Sequence, residues 1–89
     1  MMRMLVLFAH WCPKCNMMMP IIDELEIDYG EWLEIERIDI DEKPDAMEAY
    51  AAKVVPTFIL YQGKKEVGRM SGLIGEKKLY ERLDAFIEK

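Results

Sequence analysis

The chain has no long apolar run, few cysteines and no cluster of basic residues, and each absence removes a class of function. No stretch approaches the roughly 20 apolar residues of a membrane span. The apolar N-terminal segment Met4-Leu5-Val6-Leu7-Phe8-Ala9 stops after six residues at His10 and Trp11. A secretory leader needs a longer apolar core and a small-residue cleavage site ahead of the mature domain, so a soluble, cytoplasmic protein is expected. Lys and Arg form no run and the formal net charge is -5. That balance argues against nucleic acid or an anionic membrane as partner, because both select a basic patch. No internal repeat, low-complexity tract or Gly/Ser/Pro-rich linker divides the sequence, which leads us to expect one domain over residues 1–89 and a monomer.

Cys12 and Cys15 are the whole thiol inventory. Structural zinc usually takes four Cys or His ligands, and His10 is the only other candidate. One chain therefore closes no tetrahedral site without carboxylates or a second subunit, and no metal is expected. A disulfide-stapled domain carries more cysteines, farther apart, to close long loops. A bridge across two intervening residues restrains the unfolded chain very little. The pair suits cycling between dithiol and disulfide, the remaining bland reading being two inert core cysteines.

Apolar residues make up 52% of the chain, enough for one core with a thin stability margin. Arg3 to Ala9 has the length and composition of a strand buried on both faces. Pro13 suits the first position of a helix, and Cys15, Met18, Met19, Ile22 and Leu25 then fall at helical spacing on one face. Pro20 lies inside that pattern and should kink the helix without ending it, with Gly30 closing it. Leu33 to Asp39 reads as a second strand, joined to the first by a right-handed crossover and parallel to it. Asp45 to Lys53 reads as a short Ala-rich helix opened by Pro44. Thr57 to Gln62 reads as a strand, Gly63-Lys64-Lys65 as a turn and Glu66 to Met70 as its hairpin partner. Leu79, Tyr80, Leu83, Phe86 and Ile87 mark the buried face of a last helix starting near Gly75. The order β-α-β-α-β-β-α predicts an α/β fold, a four-stranded mixed sheet with helices on both faces.

Cys12-Pro13-Lys14-Cys15 falls at the first strand-to-helix junction. A thiol at a helix N-terminus meets unpaired backbone N–H groups and the positive end of the macrodipole, which favour its thiolate. Lys14 adds a positive charge. Cys15, one turn further on, turns inward within reach of Cys12 and is placed to resolve a mixed disulfide. Cys12 is thus the candidate nucleophile and Cys15 its resolving partner. The triple Met17-Met18-Met19 reads chiefly as core packing, with Met17 partly exposed near the groove. The acidic residues Glu31, Glu34, Glu36, Asp39, Asp41 and Glu42 read as solvated faces, and His10 as an exposed neighbour of the site.

Phe8-Ala9-His10-Trp11-Cys12, Pro20, Ile38-Asp39-Ile40-Asp41, Val54-Val55-Pro56-Thr57-Phe58, Gly63 and Gly72 stand in an order that resembles the thioredoxin superfamily from about Met4 to Ile87. The resemblance implies a thioredoxin-like fold and a thiol–disulfide oxidoreductase acting on protein disulfides. It implies no cofactor beyond the redox-active Cys12–Cys15 disulfide. It implies that Pro56 is cis and beside the cysteines, and that the Val55 backbone pairs with an extended substrate segment. Trp11, Pro13, Lys14 and Gly72 would border the groove, although Trp11 serves equally well as a packing residue. The electron donor would be a flavoprotein thioredoxin reductase or glutathione.

Three departures stand out. The family's first strand and helix are missing from the sequence given, as in glutaredoxins, which would leave Leu33–Asp39 as a sheet edge guarded by Glu34, Glu36 and Arg37. The family's buried Asp corresponds to Val6, removing a general base for Cys15, and a nearby buried Lys corresponds to Arg37. The intervening Pro13-Lys14 resembles glutaredoxins, whereas Ser71-Gly72-Leu73-Ile74-Gly75 lacks their Gly-Gly pair. The alternatives are a glutathione-coupled, glutaredoxin-like enzyme and a redox-inactive module that binds proteins through the groove around Pro56.

Overall fold

The computed structural model describes residues 2–86. Its elements are β1 (Met2–Phe8), α1 (Pro13–Tyr29), β2 (Leu33–Asp39), α2 (Ala46–Ala49), β3 (Thr57–Gln62), β4 (Lys65–Ser71) and α3 (Glu76–Asp84). The sheet order is β2-β1-β3-β4, with β1 parallel to β2 and the other neighbours antiparallel. This is the expected mixed sheet with β2 on an edge. No helix among the described residues is long and apolar enough to cross a membrane.

The uninterrupted apolar run of β1 follows from its central place, which buries both of its faces. Met4 and Val6 face one side, where they pack with Phe58 and Leu60 of β3, Met18, Ile22 and Leu25 of α1, and Leu79 and Leu83 of α3. Leu5 and Leu7 face the other, packing with Ile59, Ile38 and Ala46 of α2. Each fully buried Leu, Ile or Met contributes about 1.5–3 kcal/mol relative to exposure, so the larger cluster under α1 and α3 dominates the hydrophobic stabilisation. Two tyrosines tie those helices together. Tyr29 donates to Asp84, Tyr80 donates to Asp28 at 2.8 Å, and the two rings meet edge to face at 5.3 Å.

Helix α1 runs unbroken through Pro20. Its buried stripe is Cys15, Met18, Ile22 and Leu25, with Met19 only half-buried at its border and Met17 exposed. The helix stops at Gly30, where a Cβ would stand 2.8 Å from the Glu26 carbonyl oxygen. The helix expected over Asp45–Lys53 is shorter: α2 spans Ala46–Ala49, and Ala51 takes a left-handed φ of 55°. There the chain turns away from the helix axis to bring Val55 to the cysteines. Tertiary placement thus overrides the helix propensity of alanine.

Two of the edge charges are held by partners. Arg37 reaches Asp23 at 2.8 Å and Glu26 at 3.2 Å, so it clamps β2 to α1, and Glu36 pairs with Arg3 at 3.5 Å. Ile87, expected on the buried face of the last helix, lies outside the described residues.

Candidate active site

The site forms where β1 hands over to α1. Buried Ala9 accepts the Cys12 N–H at 3.2 Å, closing a tight turn through exposed His10 and Trp11. Cys12 is the N-cap of α1 in an extended conformation, and Pro13 takes the first turn, where a missing N–H costs nothing. The Cys15 backbone N–H donates to Cys12 Sγ at 3.3 Å, so the sulfur fills the capping role usually taken by a side-chain oxygen. Asn16 supports the turn from below, its Nδ2 donating to the His10 carbonyl at 3.1 Å.

Both cysteines are thiols and both are buried, yet their environments drive them apart. Burial pushes the Cys12 thiol up. Hydrogen bonds from the Cys15 side chain and from the Cys15 and Lys14 backbones, with the Lys14 charge, outweigh that and hold it below its ordinary value. The Cys15 thiol is pushed up to about 11 by burial, by its hydrogen bond to Cys12 and by the charge Cys12 carries when ionised. Cys12 is therefore the more readily ionised of the two, next to a thiol that keeps its proton.

The segment before β3 completes the arrangement. The Val55–Pro56 bond is cis. The Cys12 thiol donates to the Val55 carbonyl at 3.6 Å, and Val55 packs on the small cluster of Ala9, Cys12 and Cys15. Buried Pro56 accepts the Gly72 N–H at 2.9 Å through its carbonyl. Gly72 has φ 80°, a conformation that favours glycine, with no atom near the position of an added Cβ. Cys12, Val55, Pro56 and Gly72 are thus brought together, with Trp11 (64% exposed), Pro13 and Lys14 open to solvent beside them.

Two residues read as solvated carboxylates belong to this region. Asp39, its side chain only 12% exposed, lies 3.3 Å from His10 Nε2 and accepts the Asp41 N–H at 2.9 Å. Asp41 in turn accepts the Trp11 indole N–H at 3.3 Å. The signal was available in principle: parallel pairing sets Phe8 opposite Asp39, so acids at the end of β2 fall beside the turn that carries Trp11. Val6 lies in the apolar core and Arg37 in its clamp on α1. Among the described residues, no group of three or more His, Cys, Asp and Glu is placed to hold a metal ion.

Comparison with known proteins follows the same lines. The family model described as Thioredoxin matches residues 2–85. Thioredoxin 2 of Chlorobaculum tepidum is 32% identical over 80 residues, covering 90% of this chain and 73% of that protein. A thioredoxin of Chlamydia caviae is 39% identical over 66 residues, 74% of this chain and 64% of that one. Both relatives therefore extend beyond the matched segment. A solved thioredoxin of Fasciola hepatica has a TM-score of 0.86 and 31% identity, covering 94% of this chain and 79% of that one.

Proposed function

This chain belongs to the thioredoxin family of thiol–disulfide oxidoreductases, and we propose that it reduces disulfides of other proteins by dithiol exchange through Cys12 and Cys15. The observation that carries this reading is the opposite displacement of two thiols joined by the 3.3 Å contact from Cys15 N–H to Cys12 Sγ.

The Cys12 thiolate attacks one sulfur of the substrate disulfide. The S–S bond breaks, its electron pair leaves on the other substrate sulfur, which takes a proton, and Cys12 is left in a mixed disulfide. That bond removes the Cys12 charge and the thiol hydrogen bond, two of the causes that hold the Cys15 proton. Burial then remains as the main opposition, so Cys15 ionises more readily once its target exists. Its thiolate attacks Cys12 Sγ, the second substrate sulfur leaves and is protonated, and the Cys12–Cys15 disulfide remains. Two electrons and two protons have passed to the substrate. Val6 offers no carboxylate, so the Cys15 proton leaves to water or to a group of the substrate.

The substrate segment lies across the Val55 backbone, held by Pro56 and Gly72, with Trp11, Pro13 and Lys14 at its border. Exposed Trp11, Val54 and Leu73 each adjoin one of these positions and supply apolar area. The donor is a flavoprotein reductase, and the working place is a reducing compartment such as the cytoplasm, where the chain acts as a monomer.

The deciding experiment measures NADPH-dependent reduction of a protein disulfide, with thioredoxin reductase in one arm and glutathione with glutathione reductase in the other. Turnover in the first arm, lost in Cys12→Ser, is the expected result. A mixed disulfide on Cys12 should accumulate in Cys15→Ser. Reduction that survives Cys12→Ser overturns the mechanism, and turnover in the second arm alone reassigns the donor to glutathione.

A further inference from the structure

The β4–α3 connection borders an open surface cavity that the exchange chemistry does not use. Its volume is about 300 Å³, its apolar lining is Met70, Leu73 and Ile74, and Lys78 and Arg82 reach it from α3. A smaller hollow shares Met70 and Arg82 with it, so the depression continues along the helix. Lys78 and Arg82 are one turn apart and therefore share a helix face. Arg3, Arg37 and Arg69 are each held by a carboxylate. Among the described residues Arg82 has no such partner, and neither has Lys78. Two cations with no carboxylate partner among the described residues, beside an apolar wall, select an anionic occupant with apolar flanks.

The cavity wall is tied to the site on two sides. Gly72, next to Leu73, donates to the Pro56 carbonyl at 2.9 Å. The Ile74 N–H meets Sδ of Met18 at 3.5 Å, and Met18 lies one turn behind Cys15 in α1. The rim at Leu73 thus follows directly on Gly72, which borders the substrate segment in the reading proposed above.

We propose that this cavity is a specificity subsite for an acidic side chain with an apolar neighbour, carried by the substrate protein a few residues from its target disulfide. The proposal rests on the disulfide-reduction reading above. The net charge of -5 makes it discriminating. Long-range electrostatics of an acidic protein disfavour acidic substrates, so a preference for Glu has to arise from local cations.

The test uses peptides containing one disulfide, with Glu, Gln or Lys placed in turn at each position flanking the reactive cysteine. The full chain reduces them and kcat/KM is measured for each. At one or two positions the Glu peptide should exceed the Gln peptide by about 3- to 5-fold, with the Lys peptide below both. High salt should shrink the gap. In Lys78→Gln/Arg82→Gln the Glu/Gln ratio should fall to near one, and Lys78→Gln alone should lower it part of the way. Lys77→Gln, which removes an equal charge outside the cavity, should leave it in place. Equal reduction of all peptides overturns the subsite alone, as does a ratio that survives Lys78→Gln/Arg82→Gln or falls equally in Lys77→Gln. Failure to reduce any peptide overturns the disulfide-reduction reading, and the subsite with it.

Discussion

The backbone N–H of Cys15 caps the sulfur of Cys12 across 3.3 Å, while the Cys15 thiol behind it has its own pKa pushed up to about 11. One residue thus supports the thiolate of its neighbour through the backbone and withholds its own proton through burial.

Alkylation of the reduced protein should separate the two thiols. With a pKa of about 11, Cys15 is about 0.1% thiolate at pH 8. Cys12, held below its ordinary value of 9.0, is ionised to a larger extent. Iodoacetamide at pH 7–8 should therefore modify one thiol, located by peptide mapping at Cys12. Its rate should rise with pH and level off below the range of an ordinary cysteine. Equal labelling of both residues would show that the environments do not differ.

The same shifts give the reduced protein a stability that rises and then falls with pH. Cys12 is depressed in the folded state, so its contribution is present above its unfolded pKa near 9 and is lost as pH falls through the lower folded value. Cys15 is raised, so its contribution is present below the unfolded pKa and is lost as pH climbs from about 9 through about 11. Chemical denaturation of the reduced and oxidised proteins across pH 6–11 checks this. Subtracting the oxidised curve removes tyrosines and lysines, and the difference should peak near pH 9. A flat difference would show that the two thiols do not carry these shifts.

Lys14 tests how much of the Cys12 activation is charge. Its field is the least of the influences on that thiol, behind the contacts from Cys15 and the Lys14 backbone. Lys14→Gln should move the Cys12 pKa upward and slow exchange near neutral pH by less than about 5-fold, the scale of an exposed charge pair. The difference should vanish near 1 M salt, where the Debye length is about 3 Å. A loss of tenfold or more, insensitive to salt, would assign Lys14 a direct contact with substrate.

What the sequence made legible depended on how local each signal is. Strands β2 and β3 match the expected Leu33–Asp39 and Thr57–Gln62 because unbroken apolar or alternating runs report burial directly. Helix α1 was readable from Pro13 to Gly30 for the same reason. Ala49, Ala51 and Ala52 misled, since their preference is intrinsic while the turn at Ala51 answers to the distant need to deliver Val55. Asp39 was read as solvated because its burial depends on cross-strand register with Phe8, which no window around residue 39 contains. The cation pair of the β4–α3 cavity was invisible likewise. Lys78 and Arg82 look like any solvated face until Met70 and Leu73 are brought against them.

The chain of contacts from His10 through Asp39 and Asp41 to Trp11 predicts that Trp11 is held, although it is 64% exposed. An exposed indole with no partner rotates freely, whereas one anchored through Nε1 keeps its plane beside the Cys12 turn. Asp41→Ala removes the acceptor directly. Asp39→Ala leaves that carboxylate in place but removes the group that accepts the Asp41 N–H, so its effect should be smaller. In a Trp32→Phe background, which leaves Trp11 as the only indole, fluorescence anisotropy should fall in both variants and more in Asp41→Ala. Stability should change by no more than about 1.5 kcal/mol, because a single exposed hydrogen bond is lost. If Trp11 borders the groove, KM for a protein disulfide should rise by about 2- to 10-fold while kcat stays nearly constant. On the proposed mechanism the chemistry resides in the thiol pair, and the indole would only position the substrate over it. Unchanged anisotropy in Asp41→Ala would mean that packing against the turn, and not this hydrogen bond, fixes the ring. A fall in kcat with KM unchanged would place Trp11 in the exchange step itself.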